Sequence, residues 1–163
     1  EAAKGKIIYG VCGGYQMLGE TLSDPHHVEA GGEIKGMGLL PMDTIFEQAK
    51  TRTRVTGTFR HIGGALKLLE GTELEGYEIH MGESVLKEGA VSMNEITDGV
   101  SRVTKPDGAC KDNVYGSYVH GIFDREEVAG KIIRAIGAIK GIDVEEMTSI
   151  DFQAFKEIGR AHV

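Results

Sequence analysis

Lys6-Ile7-Ile8-Tyr9-Gly10-Val11-Cys12-Gly13-Gly14-Tyr15-Gln16-Met17-Leu18-Gly19-Glu20 is the stretch around which the chain is organised. Its first half, Lys6 to Val11, is a short apolar run of the kind that forms a strand buried on both faces. The run meets Cys12 flanked by glycines, which predicts a strand, a sharp turn and a helix. Gly10-Val11-Cys12-Gly13-Gly14 is the cysteine form of the nucleophile elbow, in which the nucleophile occupies a strained turn at the top of a parallel sheet. Small neighbours are needed because that turn crowds the backbone. The following helix points unpaired N–H groups at the sulfur and favours its thiolate, and the Gly13 N–H is the natural first donor to an oxyanion. Read alone, Cys12 is equally well a small buried hydrophobe.

Working outward, 163 residues with 40% hydrophobic content suffice for one domain and one core. A net charge of -7 argues against nucleic acid as a partner. Two distant cysteines argue for a reducing, cytoplasmic setting rather than a disulfide framework. The sequence has no signal peptide and no run long and apolar enough to cross a membrane. Glu1 to Gly5 reads as the end of a helix with a glycine stop and no initiator Met, so earlier strands of the sheet are expected upstream, together with the loop that normally supplies the second oxyanion donor.

Thr21 to Gly38 reads as a polar, glycine-rich loop, in which the adjacent His26 and His27 suit no common metal site. Gly36 to Met42 returns to a strand-like apolar pattern, and Thr51 to Arg60 reads as a strand with one wet face near a sheet edge. In Glu75 to Leu86, EGYEIHMGESVL, alternation puts Glu78, His80 and Gly82 on one face of a strand. Residues 89–111 form a β-rich connection with turns at Met93-Asn94-Glu95, Thr97-Asp98-Gly99 and Lys105-Pro106-Asp107-Gly108. Cys110 lacks an elbow and is a bystander. In NVYGSYVHGIFD, residues 113–124, a strand ends on His120, where α/β folds keep their chemistry. An elbow cysteine needs a base, and His120 is the best of the six histidines to serve as one. Asp124-Arg125-Glu126-Glu127 reads as a capping box with Asp124 as N-cap of a helix through Val128, Ile132, Ile133 and Ile136. A second amphipathic helix is predicted from about Ser149 to Ala161.

Cys12-Gly13-Gly14-Tyr15-Gln16 with the upstream Gly10 resembles the nucleophile motif of class I glutamine amidotransferases. GVCGGYQMLG, GYEIHMG and YVHGIFD, in that order and across most of the length, resemble the cobyrinic/cobyric acid synthase family. The resemblance implies a flavodoxin-like α/β fold with a central, mostly parallel sheet flanked by helices. It also implies that residues 1–163 are a glutamine amidotransferase domain, incomplete at its N-terminus, of an enzyme whose ATP- and Mg-using ligase domain lies elsewhere in the chain. No Gly-rich loop followed by Lys-Ser or Lys-Thr occurs here. Implied site residues are Cys12 and His120 as a catalytic dyad, Gly13 at the oxyanion, and Gln16, Glu78 and His80 around bound glutamine. Most class I enzymes carry a glutamate two residues after the histidine; that position is Ile122, leaving a backbone carbonyl or a residue such as Glu78 to orient the ring. The function implied is hydrolysis of glutamine to supply ammonia for amidation of the b, d, e and g carboxylates of adenosylcobyrinic acid a,c-diamide, with no cofactor or metal in this domain. The alternatives are a related ligase, such as cobyrinic acid a,c-diamide synthase or the lipid II amidating enzyme, a γ-glutamyl or DJ-1-type cysteine hydrolase, or a non-catalytic docking domain.

Overall fold

The computed structural model describes residues 2–142. After one 3-10 turn, Ala2–Lys4, stopped by Gly5 at φ 71°, the chain enters β1, Ile8–Val11. β1 lies parallel to β9, Val114–Ser117, in the register Ile8↔Val114 to Val11↔Ser117. On the far side of β9 the short β8, Ala109–Lys111, pairs antiparallel. All four residues of β9 are buried, as a strand covered on both faces requires.

A larger sheet has the order β10-β5-β4-β2-β3, from Val119–His120, Glu73–Leu86, Met42–Phe59, Thr21–Asp24 and Gly32–Lys35 respectively. β6, Asn94–Asp98, adds to β4, and β7, Thr104–Asp107, adds to β6. Among the described residues the parallel pairs are β1 with β9 and β2 with β4, and the long antiparallel β4–β5 ladder supplies most of the rest. That ladder is broken where Phe46↔Gly82 gives way to Thr51↔His80, so residues 47–50 bulge out opposite Met81.

The chain between Val114 and Val119 is the seam between two apolar clusters. Tyr115 and Val119 face a cluster with Val55, Phe59, Leu66 and Ile122, while Val114 and Tyr118 face one with Tyr15, Leu40 and Met42. α1, Gly13–Met17, packs against β9, and α2, Glu126–Lys140, packs on the 3-10 segment Gly64–Leu69 and ends at Gly141 with φ 67°.

Several expectations change. Thr21 to Gly38 is a β2–β3 hairpin rather than a loop: Leu22 and Asp24 point inward, and the Asp24 carboxylate accepts the N–H groups of Val28, Glu29 and Gly31 at 2.8, 2.8 and 2.9 Å. A buried acid organising a turn makes a polar segment regular. Gly36 to Pro41 is not a strand; Leu40 is buried from irregular backbone, and β4 begins at Met42. Thr51 to Phe59 keeps its wet face but is interior over Val55–Phe59, where β6 covers the second edge. Lys105-Pro106-Asp107 is strand rather than turn, and Pro106 is accommodated because β7 pairs on one side only. The capping box does not form: Arg125 is the N-cap of α2 and makes no side-chain cap, while the Asp124 N–H donates to the Gly121 carbonyl at 2.8 Å. The helix predicted near Ser149 lies outside the described residues.

Candidate active site

The elbow is built as its glycines demand. Cys12 has φ 53° and ψ -114°, a conformation that costs a non-glycine residue free energy and persists only where packing enforces it. A Cβ on Gly10 would stand 2.7 Å from Gly14 C, Gly14 O and Tyr15 N, so only glycine lets β1 pass this close to the first turn of α1. α1 has five residues, which shortens the dipole expected behind the sulfur and leaves its free N–H groups as the local donors. The Gly13 N–H donates to no other group among the described residues. It is therefore free to meet an oxyanion.

Two bonds tie Cys12 to elements distant in sequence. Its N–H donates to the Ser117 carbonyl at 2.9 Å, which fastens the elbow to the end of β9. Its Sγ–H donates to the Ile79 carbonyl of β5 at 3.4 Å. β10 covers β5 only at Tyr77 and Glu78, so the edge at Ile79 is open to the thiol. His120 ends β10, paired with Tyr77, three residues beyond the Val11↔Ser117 pair that Cys12 follows by one. Cys12 and His120 thus share the carboxyl ends of β1 and β9, the side of a parallel pair where α/β sites form. No hydrogen bond joins them among the described residues, and the His120 Nε2 is buried without a partner.

The position two residues after His120 confirms why no carboxylate orients the ring there: Ile122 is 1% exposed and belongs to the core. Glu78 does not orient it either. Its Oε1 takes the His80 Nε2 at 3.1 Å, and its Oε2 forms an ion pair with the Lys105 Nζ at 3.0 Å. Burial pushes the Glu78 carboxyl up, but the hydrogen bonds and charges of His80 and Lys105 outweigh it and hold the group below its ordinary range. His80 Nδ1 is 2.7 Å from the Gly82 carbonyl, so both ring nitrogens lie against oxygen atoms. Its ring stacks on Tyr118 at 3.8 Å.

Glu78, His80, Ser84, Lys105 and Tyr118 line a cavity of about 550 Å³ beneath the β4 bulge, whose walls include neither Cys12 nor His120. Gln16 is 6% exposed, its Nε2 3.4 Å from the Tyr118 hydroxyl and close against Gly82. The structure therefore groups the six residues in two: Cys12, Gly13 and His120 at the strand ends, and Glu78 and His80 at the cavity, with Gln16 packed between. Lys105, Tyr118, Ser117 and Asp107 escaped notice in the sequence because nothing local marks them. Cys110 is 5% exposed, donates to the His61 carbonyl at 3.1 Å, and has its thiol pushed up by burial. His26 and His27 are exposed, and among the described residues no group of His, Cys, Asp and Glu side chains is arranged to hold a metal ion. No described helix is long and apolar enough to cross a membrane.

A mixed α/β fold with a cysteine elbow and a strand-end histidine defines the class of enzymes that use an elbow nucleophile. Residues 1–128 match the model of the CobB/CobQ-like glutamine amidotransferase domain, and the chain belongs to that family. It is 49% identical over 158 residues to a cobyric acid synthase of Ruminiclostridium cellulolyticum, covering 96% of this chain and 31% of that protein. A cobyric acid synthase of Lachnoclostridium phytofermentans is 43% identical over 170 residues, covering 95% of this chain and 32% of the relative. The chain thus spans about a third of the length of these relatives. A glutamine amidotransferase structure from Thermotoga maritima aligns at a TM-score of 0.46 and 13% identity, over 96% of this chain and 56% of that one.

Proposed function

We propose that this domain hydrolyses glutamine through Cys12 and His120 and passes the ammonia to the ATP-dependent ligase portion of the same protein, acting as the glutaminase half of a cobyric acid synthase. The observation that carries the reading is the Cys12 elbow, held at φ 53° at the end of β1 beside β9, from which the chain runs on through Tyr118 to His120 on β10. The long identity with cobyric acid synthases supports the choice of acceptor, the b, d, e and g carboxylates of adenosylcobyrinic acid a,c-diamide.

On glutamine binding, His120 takes the proton that Cys12 shares with the Ile79 carbonyl, and the thiolate attacks the carboxamide carbon. The Gly13 N–H receives the oxyanion. Collapse expels the amine, which leaves as ammonia with the proton returned by His120, and a glutamyl thioester remains on Cys12. Water then attacks the thioester with His120 as base, releasing glutamate and the thiol. Glu78 and His80 flank the carbonyl that meets the thiol and face the amino-acid end of glutamine, while Gln16 bonds to Tyr118 between the two groups. ATP and Mg are assigned in this reading to the ligase portion, an assignment supported by the similarity to cobyric acid synthases.

The test is labelling of the complete protein with a glutamine-derived diazoketone, comparing wild type with Cys12→Ala, Cys110→Ala and His120→Ala. A glutamine-protectable adduct on Cys12, formed about 10²- to 10⁴-fold more slowly without His120, is the expected result. An adduct on Cys110, or one indifferent to His120, refutes the dyad.

A further inference from the structure

Ser117 is the last residue of β9 and is fully buried. Immediately after it the chain leaves the small sheet, and at Val119 it joins the larger one opposite Glu78. Backbone groups at such a crossing have no ladder partners and must be satisfied by side chains. Here the Ser117 Oγ accepts the Val119 N–H at 3.0 Å, and Asp107 Oδ1 accepts the Tyr118 N–H at 3.1 Å. The Ser117 hydroxyl donates in turn to Asp107 Oδ2 at 2.6 Å, which also accepts from Asn94 Nδ2 at 2.8 Å. The carbonyl of the same serine accepts the Cys12 N–H at 2.9 Å. One residue is therefore bonded on one side to the nucleophile and on the other to the residue before His120. Cys12 continues from the small sheet and His120 belongs to the larger, and among the described residues the other connection between them runs through β5, whose Ile79 carbonyl accepts from the Cys12 thiol and whose Tyr77 pairs with His120.

We propose that Asp107 and Ser117 form a positioning pair that fixes the Cys12 thiol and the His120 imidazole relative to each other. The inference rests on the reading of Cys12 and His120 as the reacting pair. An apolar core would serve packing better than a buried carboxylate with three donors, which is costly to dehydrate. What the carboxylate adds is direction: with both oxygens engaged, Ser117 has one hydroxyl rotamer, and Tyr118 and Val119 have one path. Removing the hydroxyl frees the Val119 N–H and lets β10 slide against the elbow without emptying the core.

The test uses the complete protein, with active sites counted by stoichiometric labelling of Cys12 with the diazoketone and glutamine turnover expressed per labelled site. Ser117→Ala and Asp107→Asn are expected to lower kcat per labelled site roughly 10- to 100-fold, the scale on which small misplacements act, with KM within about twofold. The exchange Asn94→Asp with Asp107→Asn moves the carboxylate across the same contact, still within reach of the Ser117 hydroxyl, leaves an amide oxygen for the Tyr118 N–H, and is expected to restore most of the rate. Turnover per labelled site unchanged in both single variants, with only the number of labelled sites or Tm reduced, would assign the pair to folding alone and overturn the proposal. A folded exchange variant as slow as Asp107→Asn counts against it equally. Loss of activity in Cys12→Ala and His120→Ala with none per site in Ser117→Ala sinks only the positioning pair, whereas retained activity in the first two sinks the dyad beneath it.

Discussion

Gly10→Ala is the substitution that most directly questions the elbow. The added methyl would lie 2.7 Å from three backbone atoms of Gly14 and Tyr15, where ordinary carbon contacts are about 3.5–4.0 Å. No side chain can rotate away, so β1 and the first turn of α1 must separate by about 0.8 Å or more to reach that range. Overpacking of this kind costs about 1–3 kcal/mol. At about 2–4 °C per kcal/mol for a domain of this size, Tm should fall by roughly 2–12 °C. The larger effect is on the chemistry: α1 carries the Gly13 N–H, and a displacement near 1 Å should lower kcat/KM about 10²-fold. The control is Gly14→Ala, where a methyl meets nothing within 4 Å and replaces a helical glycine. It should leave Tm unchanged or raise it, since alanine gains about 0.5–1 kcal/mol over glycine inside a helix. Thermal melts and glutamine hydrolysis on the two variants decide the matter. Wild-type kcat/KM in Gly10→Ala, with Tm within about a degree of the parent, would mean that β1 and α1 do not approach as described.

Three further outcomes follow from side chains around the site. Glu78 is held below its ordinary range by His80 and Lys105 despite burial, so its contribution to stability is present above the unfolded carboxylate pKa and is lost as pH falls through the lower folded value. Lys105→Met should move the acid-unfolding midpoint to higher pH, and circular dichroism between neutral and strongly acidic pH reads it; an unchanged midpoint removes Lys105 from the pair. Iodoacetamide at neutral pH should modify Cys12 and spare Cys110 in the folded protein, because burial raises the Cys110 thiol and its sulfur is covered; peptide mass spectrometry would expose the opposite order. Phe59→Ala, which empties a fully buried site at the end of β4, should cost about 3–5 kcal/mol by chemical denaturation while leaving the KM of whatever folds unchanged.

What the sequence determined by itself are the features whose physics is local. Glycines around Cys12 are legible because the strained turn and the close passage of β1 over α1 exclude a Cβ from the chain's own neighbours. His120 is legible because a strand running to a histidine and a glycine places an imidazole at a strand end. Alternation put Glu78 and His80 on one face, and that face is the buried one, with Tyr77 and Ile79 exposed on the other. The errors were local too. Polar composition hid the β2–β3 hairpin that Asp24 organises, and turn-forming residues disguised the β7 edge strand. Tertiary structure alone decided which groups meet. The Ile79 carbonyl under the thiol, Lys105 against Glu78, and Asp107 joined to Ser117 all depend on the registers of strands tens of residues apart. A one-residue slip would send each of those side chains to the opposite face, and nothing within reach of the residue itself records which register wins.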